Sequence, residues 1–487
     1  MDSYHDEETI ALEKFASYTE LQAFLVDRGQ QEPGSFEAYE QELAERMRAL
    51  ENEIKAAELE RYDIDAQVVF VNGQQWNKCL DKEPKTYASA SGPLTVARNL
   101  FRPSSGGRSV CPLELRAGIV GGFFSPVLAR QVAFLMGHMT SKDTAEAFRQ
   151  FGVQGPSSSS CDRLPKVISE VWERNREQWE SELRQQETVA VEAVVLAASL
   201  DGVLVPDKQA QREAKREREA KKKNLSKPSG GPAGYREVGC GTVSLFDSDG
   251  KRLDTVRYGR APEYKKKTLT EQLDAEVASI LAVSPNLHLV ALADGAEENW
   301  RYFSGPQWVN ATKIVDIGHG CDHLKAAMSA RYGAKSVKGR AEYEKYKTLL
   351  KDEHGGVDEV IAELRRLERS LRNNRNKNRR KLVAKERKFF ENQRERMAYA
   401  HYKELGLPIG SGIVEAACKT LGTQRLKRSG MSWNDGKQPI LTIRSLQQSD
   451  RWERAWKLIA KEFRRTPALV NNLYHFDTGS LEVDMAA

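Results

Sequence analysis

The middle of this 487-residue chain predicts an α/β core on a mixed sheet. Three observations carry that reading. Three β-like runs come first, the last two facing each other across a turn at Asp247-Ser248-Asp249-Gly250. Helices and strands then alternate. Helix-patterned, charge-rich segments stand on both sides of this stretch. The composition permits such a core: 40% of residues are hydrophobic and 30% charged, in roughly three domains at ~100–200 residues each. No apolar run approaches the ~18–20 residues that span a bilayer; the best candidate, Val189 to Leu200, is short and contains Glu192. The N-terminus, with Asp2, Asp6, Glu7 and Glu8, is acidic, the opposite of a secretory leader. Six cysteines (Cys79, Cys111, Cys161, Cys240, Cys321, Cys418) form no CxxC pair, which suits free thiols in a reducing cytosol. The expected setting is cytoplasmic, with no membrane partner.

In chain order, residues 1–65 read as an acidic helical arm. Leu43, Met47, Leu50 and Ile54 stand at helical spacing between Glu37 and Arg61, as in a packing or coiled-coil-like helix. Residues 66–115 change texture. Val68-Val69-Phe70-Val71 runs into Asn72-Gly73, a hairpin signal, and a small β module follows. Residues 116–180 return to helix, with Ser125 as cap and Pro126 in the first turn. A short helix at Lys142 to Phe151, a turn through Gly152 to Pro156 and a helix from Ser157 make a helix-turn-helix-like outline. Ser157, Arg163 and Lys166 are its candidate DNA contacts. Many helical hairpins share that outline, and Pro165 would bend the second helix.

Residues 186–336 form the first part of the core. Val189 to Leu200 reads as a buried strand ending at Asp201-Gly202. A basic, flexible insert over 207–234 follows, with Lys208 to Lys223 ahead of a Pro- and Gly-rich Ser226 to Gly234. Glu237 to Phe246 and Arg252 to Tyr258 make a hairpin. Thr268 to Leu281 is an amphipathic helix, and His288 to Ala293 is a strand ending at Asp294-Gly295. A short strand at Ile314-Val315 ends at Asp316. Three antiparallel strands, then alternating helices and strands, outline a five-stranded sheet of RNase H-like type. Residues 337–404 are helical and basic: Arg365 to Lys388 holds twelve Lys and Arg against two acids. A solvated helix face and a phosphate-tracking one both fit that run. Residues 405–465 complete the core, and 466–487 read as a tail.

Two carboxylates, Asp201 and Asp294, follow buried strands at positions where Gly lets the chain turn. Strand ends open onto the crevice where sites of open α/β folds gather. If the strands are neighbours, both acids reach one ion. Mg²⁺ takes oxygen ligands and keeps several waters, so two or three carboxylates suffice. Two ions ~3.5–4 Å apart can activate a nucleophilic oxygen and stabilise a leaving one. Glu415 is the best third acid, in the first turn of a helix after Gly410-Ser411-Gly412. Arg425, Lys427 and Arg428 follow and suit phosphates. Taken singly, a strand-end Asp is more often a turn residue and a helix-start Glu more often a dipole partner. Ser157 to Ser160, Tyr258, Tyr264 and Cys321 offer weaker nucleophiles, none in a supporting pattern.

The blocks Ser199-Leu200-Asp201-Gly202-Val203, Leu292-Ala293-Asp294-Gly295-Ala296 and GLPIGSGIVEAACKTLGTQRLKRSG (Gly406 to Gly430) resemble the ISKra-type family of bacterial insertion-sequence transposases. These are DDE-class enzymes distantly related to Mutator-like transposases, and the similarity covers roughly residues 100–460. The resemblance implies an RNase H-like domain with Asp201, Asp294 and Glu415 as metal-binding triad and an all-helical insertion between the second Asp and the Glu. Asp316-Ile317-Gly318-His319 fits the D-x-x-H pattern of Mutator-like relatives, and His323 lies one helical turn further. These three polar residues (Asp316, His319, His323) are expected as auxiliary groups near the site. Relatives often carry a cysteine-rich stretch before the helix-turn-helix; here only Cys79 and Cys111 occupy it, so the β module is expected to fold without zinc.

The expected function is Mg²⁺- or Mn²⁺-dependent cleavage, with two ions, at transposon ends, then 3′-OH strand transfer into target DNA. The partners are double-stranded DNA, as terminal inverted repeats and target, and further copies of the chain as a homodimer or larger assembly. A metal-dependent nuclease without strand transfer shares the same residues. A domesticated DNA-binding regulator is the alternative of another class. Net charge is +6, yet residues 1–65 hold eighteen acids against six bases, about −12, which leaves about +18 for the rest.

Overall fold

The computed structural model of the chain describes residues 12–30, 32, 34–222, 234–373 and 376–479. Expectations for residues 1–11, for most of the Ser226 to Gly234 stretch and for 480–487 lie outside them. The chain divides into two compact units, residues 1–179 with 452–487, and residues 180–451.

The first unit begins with α1 (Ala16–Gly29) and α2 (Phe36–Glu60). The Ser35 hydroxyl caps α2, accepting from the Ala38 N–H at 3.3 Å. Leu50 and Leu59 are buried, whereas Met47 is exposed. Strands β1 (Val68–Val71), β2 (Gln74–Ser89) and β3 (Gly92–Pro103) form a meander. Asn72 and Gly73 take φ of 49° and 75°, as a two-residue hairpin turn of the I′ type requires. Then come α3 (Pro112–Ala117), α4 (Pro126–His138), α5 (Ser141–Gln150) and α6 (Ser158–Gln185). Ser125 caps α4 as its sequence suggests. Seven residues separate α5 from α6, longer than the 3–4 of a tight helix-turn-helix. α6 continues through Pro165.

In the second unit, β4 (Val195–Pro206) leads into α7 (Lys208–Lys222), β5 (Tyr235–Phe246), β6 (Arg252–Arg260), α8 (Lys267–Val283), β7 (His288–Ala293), α9 (Glu297–Tyr302) and β8 (Thr312–Val315). The strand order is β6-β5-β4-β7-β8. β6, β5 and β4 are antiparallel, and β4, β7 and β8 are parallel. The sequence placed the first strand too early. Val191 is fully exposed, and the strand starts at Val195. It also runs past Asp201, because β5 pairs with it as far as Pro206 opposite Tyr235, while β7 stops at Leu200.

The sheet is covered on both faces. Leu269 and Leu273 of α8 press on Gly239 and Gly241, where a β-carbon would meet them at 2.7 and 3.0 Å. Strand alternation turns Asp201, Cys240 and Gly259, which lie in register, to the opposite face. After β8 come α10 (Ile317–Tyr332), α11 (Val337–Asp352), α12 (Gly356–Ser370), α13 (Lys377–Gln393) and α14 (Tyr399–Glu404). Next are α15 (Gly412–Ala417), a π-helical turn (Cys418–Thr423), α16 (Gln424–Leu426) and α17 (Lys437–Gln448). Leu421 of the π turn and Leu441 of α17 cover Gly259.

The chain finishes in the first unit with α18 (Trp452–Phe463), β9 (Ala468–Val470) and β10 (Leu473–Phe476). Part of the segment read as a tail is therefore sheet: β10 pairs with β1 in parallel, for the order β3-β2-β1-β10-β9. Among the described residues no helix is long and apolar enough to cross a membrane.

The second unit is tied by a buried cation. Arg451, 2% exposed, donates to Glu276 Oε1 at 2.7 Å, to Glu187 Oε1 at 2.7 Å and to the Tyr258 hydroxyl at 2.9 Å. Breaking such a pair on one side strands the other charges, at about 3–5 kcal/mol. Arg451→Leu is therefore expected to lower the urea unfolding midpoint by a corresponding amount, and an unchanged midpoint would refute the assignment.

Candidate active site

Register sets the site. Leu200 of β4 pairs with Ala293 of β7, which pairs with Val315 of β8. The next residue on each chain is Asp201, Asp294 and Asp316. Three carboxylates thus stand in a row at the same end of three parallel strands, which lie ~4.8 Å apart.

Each carboxylate has a donor. The Gly202 N–H donates to Asp201 at 2.7 Å. The Ala296 N–H and the Asn299 amide donate to Asp294 Oδ1 at 3.0 and 2.8 Å. Asn299 also reaches the Leu200 carbonyl at 3.4 Å, which ties the β4 edge to the Asp294 turn. Asp316 caps α10, accepting from the His319 N–H at 2.8 Å, and its other oxygen accepts from the Ser411 N–H.

That last bond brings in Glu415. The Ile317 N–H donates to the Ile409 carbonyl at 3.0 Å, so the loop before α15 lies against the start of α10. The Ser411 hydroxyl stands 3.4 Å from Glu415 Oε1. Ligand atoms of Asp316, His319 and Glu415 all lie within 4.8 Å of one another. One helical turn beyond Glu415, the Cys418 thiol donates to Asp201 Oδ2 at 3.6 Å. From Cys418 the helix widens into the π turn, a geometry common at functional sites. Gly422 permits its close approach, since a β-carbon there would stand 2.4 Å from Val203 Cγ1 of β4.

The electrostatics follow from this crowding. Burial pushes the Asp201 carboxyl above the usual carboxylate range, and the charge of Asp294 adds to it. The Gly202 N–H and the nearby His319 pull the other way. A hydrogen bond with the Cys240 thiol, then burial, holds Cys418 well above the usual thiol range, so its thiol stays a protonated donor.

The structure thus gathers Asp201, Asp294, Asp316, His319 and Glu415 at one end of the sheet. His323 lies outside the cluster that Asp316, His319 and Glu415 form. The His323 ring stacks on Phe389 at 3.6 Å between centroids, and its Nδ1 shares a hydrogen bond with Glu386. Arg425 is 2% exposed and lies 5.5 Å from the Trp433 ring centre, so it does not present itself to an incoming phosphate. Lys427 and Arg428 are exposed. In the first unit, Ser157 accepts from the Ser160 N–H at 3.2 Å at the start of α6, while Arg163 and Lys166 are exposed. Sequence reasoning missed Asn299, Ser411 and Cys418. Only Ser411, between two glycines beside Glu415, carried a sequence signal.

The basic helices brace this site at two points. Phe389 of α13 fills the space over Gly295, where a β-carbon would meet its ring at 2.1 Å. The Gln393 amide donates to the Gly295 carbonyl at 3.3 Å. Of the Arg365 to Lys388 run, Arg365 pairs with Glu391, Arg366 with Glu363, and Arg387 with Glu368 and Glu391.

No protein-family model matches the chain, and no curated protein matches it. Among solved structures, the chain is similar to the Drosophila P element transposase strand transfer complex at 10% identity and a TM-score of 0.24, over 73% of this chain and 82% of that one.

Overpacking a filled site costs about 1–3 kcal/mol. Gly295→Ala is expected to lose that much stability by chemical denaturation, and Phe389→Leu added to it to restore most of the loss. If the double variant is no better than the single one, Phe389 is not what fills the space.

Proposed function

We propose that the chain is a DDE transposase of the ISKra type, cutting DNA at insertion-sequence ends and joining the freed 3′-OH to target DNA. What supports this reading is that Asp201 and Asp294 follow paired residues of neighbouring parallel strands and that Cys418, one turn past Glu415, donates to Asp201, from segments spread over more than 200 residues. The strand order β6-β5-β4-β7-β8 supports an RNase H-like core, with α11–α14 as the helical insertion ahead of Glu415.

The donor set fits a hard divalent ion such as Mg²⁺ or Mn²⁺: carboxylate oxygens dominate, and the nearby Cys418 thiol is held protonated. Asp201, Asp294 and Glu415 would hold two ions, which supply activation of the attacking oxygen and stabilisation of the leaving one. Asp316 has both oxygens engaged by main-chain N–H groups; its role is to seat the Glu415 loop on α10. His319 flanks the carboxylates as an auxiliary group. Lys427 and Arg428, both exposed, would meet phosphate, and Arg163 and Lys166 would serve end recognition. In the first step a water oxygen attacks the phosphorus and the P–O3′ bond breaks, the 3′ oxygen leaving with a proton. In the second, that hydroxyl attacks a target phosphodiester, whose own P–O3′ bond breaks. Two ends must meet, so two or more copies act together on DNA.

The test is a strand-transfer assay on pre-cut ends with Mg²⁺, beside cleavage of intact ends. Wild type is expected to do both. Loss of several kcal/mol of charge stabilisation predicts a fall of roughly 10²–10³ for Asp294→Ala in either step. Cleavage without any joining would replace the reading with a nuclease, and full activity in Asp294→Ala would remove Asp294 from the site.

A further inference from the structure

Beyond the catalytic groups, the structure builds one basic surface with a rigid root. β4 carries the chain from Asp201 to Pro206 and straight into α7. The Asp207 carboxylate caps α7, accepting from the Ala210 N–H at 2.8 Å. Its second oxygen accepts from Lys437 Nζ at 2.6 Å, with both side chains under a tenth exposed. The Lys208 N–H donates to the Trp433 carbonyl at 2.9 Å, and the Ser432 hydroxyl to Gln211 at 3.1 Å. The same Trp433 holds the Leu426 carbonyl at 2.7 Å through its indole N–H. The root of α7 is therefore locked to the loop that carries exposed Lys427 and Arg428.

The helix itself is patterned. Lys208, Arg212, Lys215 and Arg216 fall at i, i+4, i+7 and i+8, one stripe of a helix, and Arg218 widens it. All five are exposed. Glu213 is drawn off the stripe by its ion pair with Arg236. The stripe is ~15 Å long at 1.5 Å per residue. At one phosphate per ~3.4 Å of axis on each strand, it spans about four phosphates. Pro206 lies five residue steps along the strand from Asp201, ~17 Å, or about five base pairs.

We propose that α7, with the Lys427–Arg428 loop, is a clamp for the sugar–phosphate backbone of duplex DNA, gripping it about five base pairs from the phosphate that reacts. The proposal rests on the transposase reading for the position of the scissile phosphate. The contact is with phosphates and reads no base. A cation stripe on a sheet-anchored helix suits this, because each neutralised phosphate releases counterions and leaves its mark in the salt dependence.

The experiment uses the full chain and a fluorescein-labelled duplex carrying the element's end, with anisotropy read over a salt series. R212Q/K215Q/R216Q/R218Q changes only exposed side chains, and its thermal midpoint is expected to equal wild type. Its slope of log K against log salt is expected to be shallower by about 3–4, at ~0.9 per lost phosphate contact. A control, K345Q/K351Q on α11, is expected to keep the wild-type slope. Neutral methylphosphonates placed four to six base pairs from the cleavage point are expected to weaken wild type and leave the quadruple variant unmoved. An unchanged slope in the quadruple variant, or equal weakening of both proteins by the methylphosphonates, overturns the clamp. Strand transfer by wild type in the same preparation keeps that failure distinct from failure of the catalytic reading, which would show as binding without cleavage or joining.

Discussion

Like charges must be held together before this site can exist. Two carboxylates ~5 Å apart repel by ~3 kcal/mol at an effective dielectric of 20, and the sheet register places three in a row, with a fourth brought over them. The surrounding structure can be understood as the means of bearing that repulsion. Main-chain N–H groups of Gly202, Ala296, His319 and Ser411 each meet a carboxylate oxygen, as do the Asn299 amide and the Cys418 thiol. Donors fixed in the backbone hold without reorganising, which is why they sit at strand ends, a helix start and a tight loop. Burial, with the charge of Asp294 adding to it, still holds the Asp201 carboxyl above the usual carboxylate range.

The same constraint explains the unusual local geometry. A regular α-helix from Gly412 would keep one pitch, but the residues after Glu415 must also meet the sheet. Cys418 reaches Asp201 while Leu421 covers Gly259. Widening into a π turn shifts the facing of these residues, and Gly422 removes the side chain that would collide with Val203. The helices α10 to α13 act from the other side. Phe389 lies over Gly295 and against His323, so one ring links the Asp294 turn to the helix that carries His319. A long helical segment between the second Asp and the Glu is thus coupled to the site through side-chain packing.

Much of this was legible in the sequence because strands and turns are local. His288 to Ala293 matches β7 residue for residue, and the Asp247 to Gly250 turn joins β5 to β6. Asn72-Gly73 supplies the two positive φ angles that its composition promised. What failed depended on partners far along the chain. The apolar run alone gave no sign that β5 would carry β4 past Asp201, or that residues 473–476 would pair with residues 68–71. Asp316 looked like an auxiliary acid, and nothing near it reveals that a serine 95 residues later donates to it. His319 and His323 share a helix face by spacing, yet Glu386 and Phe389 claim the second ring. Periodicity says which face a residue occupies; only the fold says what meets it.

Charge underwent the largest revision. Read as a string, the Arg365 to Lys388 run is the strongest basic feature and the natural place for a phosphate backbone. Folded, α12 and α13 face each other, and Glu363, Glu368 and Glu391 draw Arg365, Arg366 and Arg387 into ion pairs between and within them. A guanidinium already bonded to a carboxylate must lose that bond to bind a phosphate, so these residues hold helices together first. α7 is the opposite case. It is less basic by count, but its cations stand on a stem fixed by the buried Asp207–Lys437 pair and joined directly to β4, the strand that carries Asp201. Which cations can serve a polyanion depends on what each one already touches: carboxylates claim Arg365, Arg366 and Arg387; Arg369, Arg372, Arg379 and Lys381 of the same run stay exposed; and the exposed cations of α7 stand on the anchored stem.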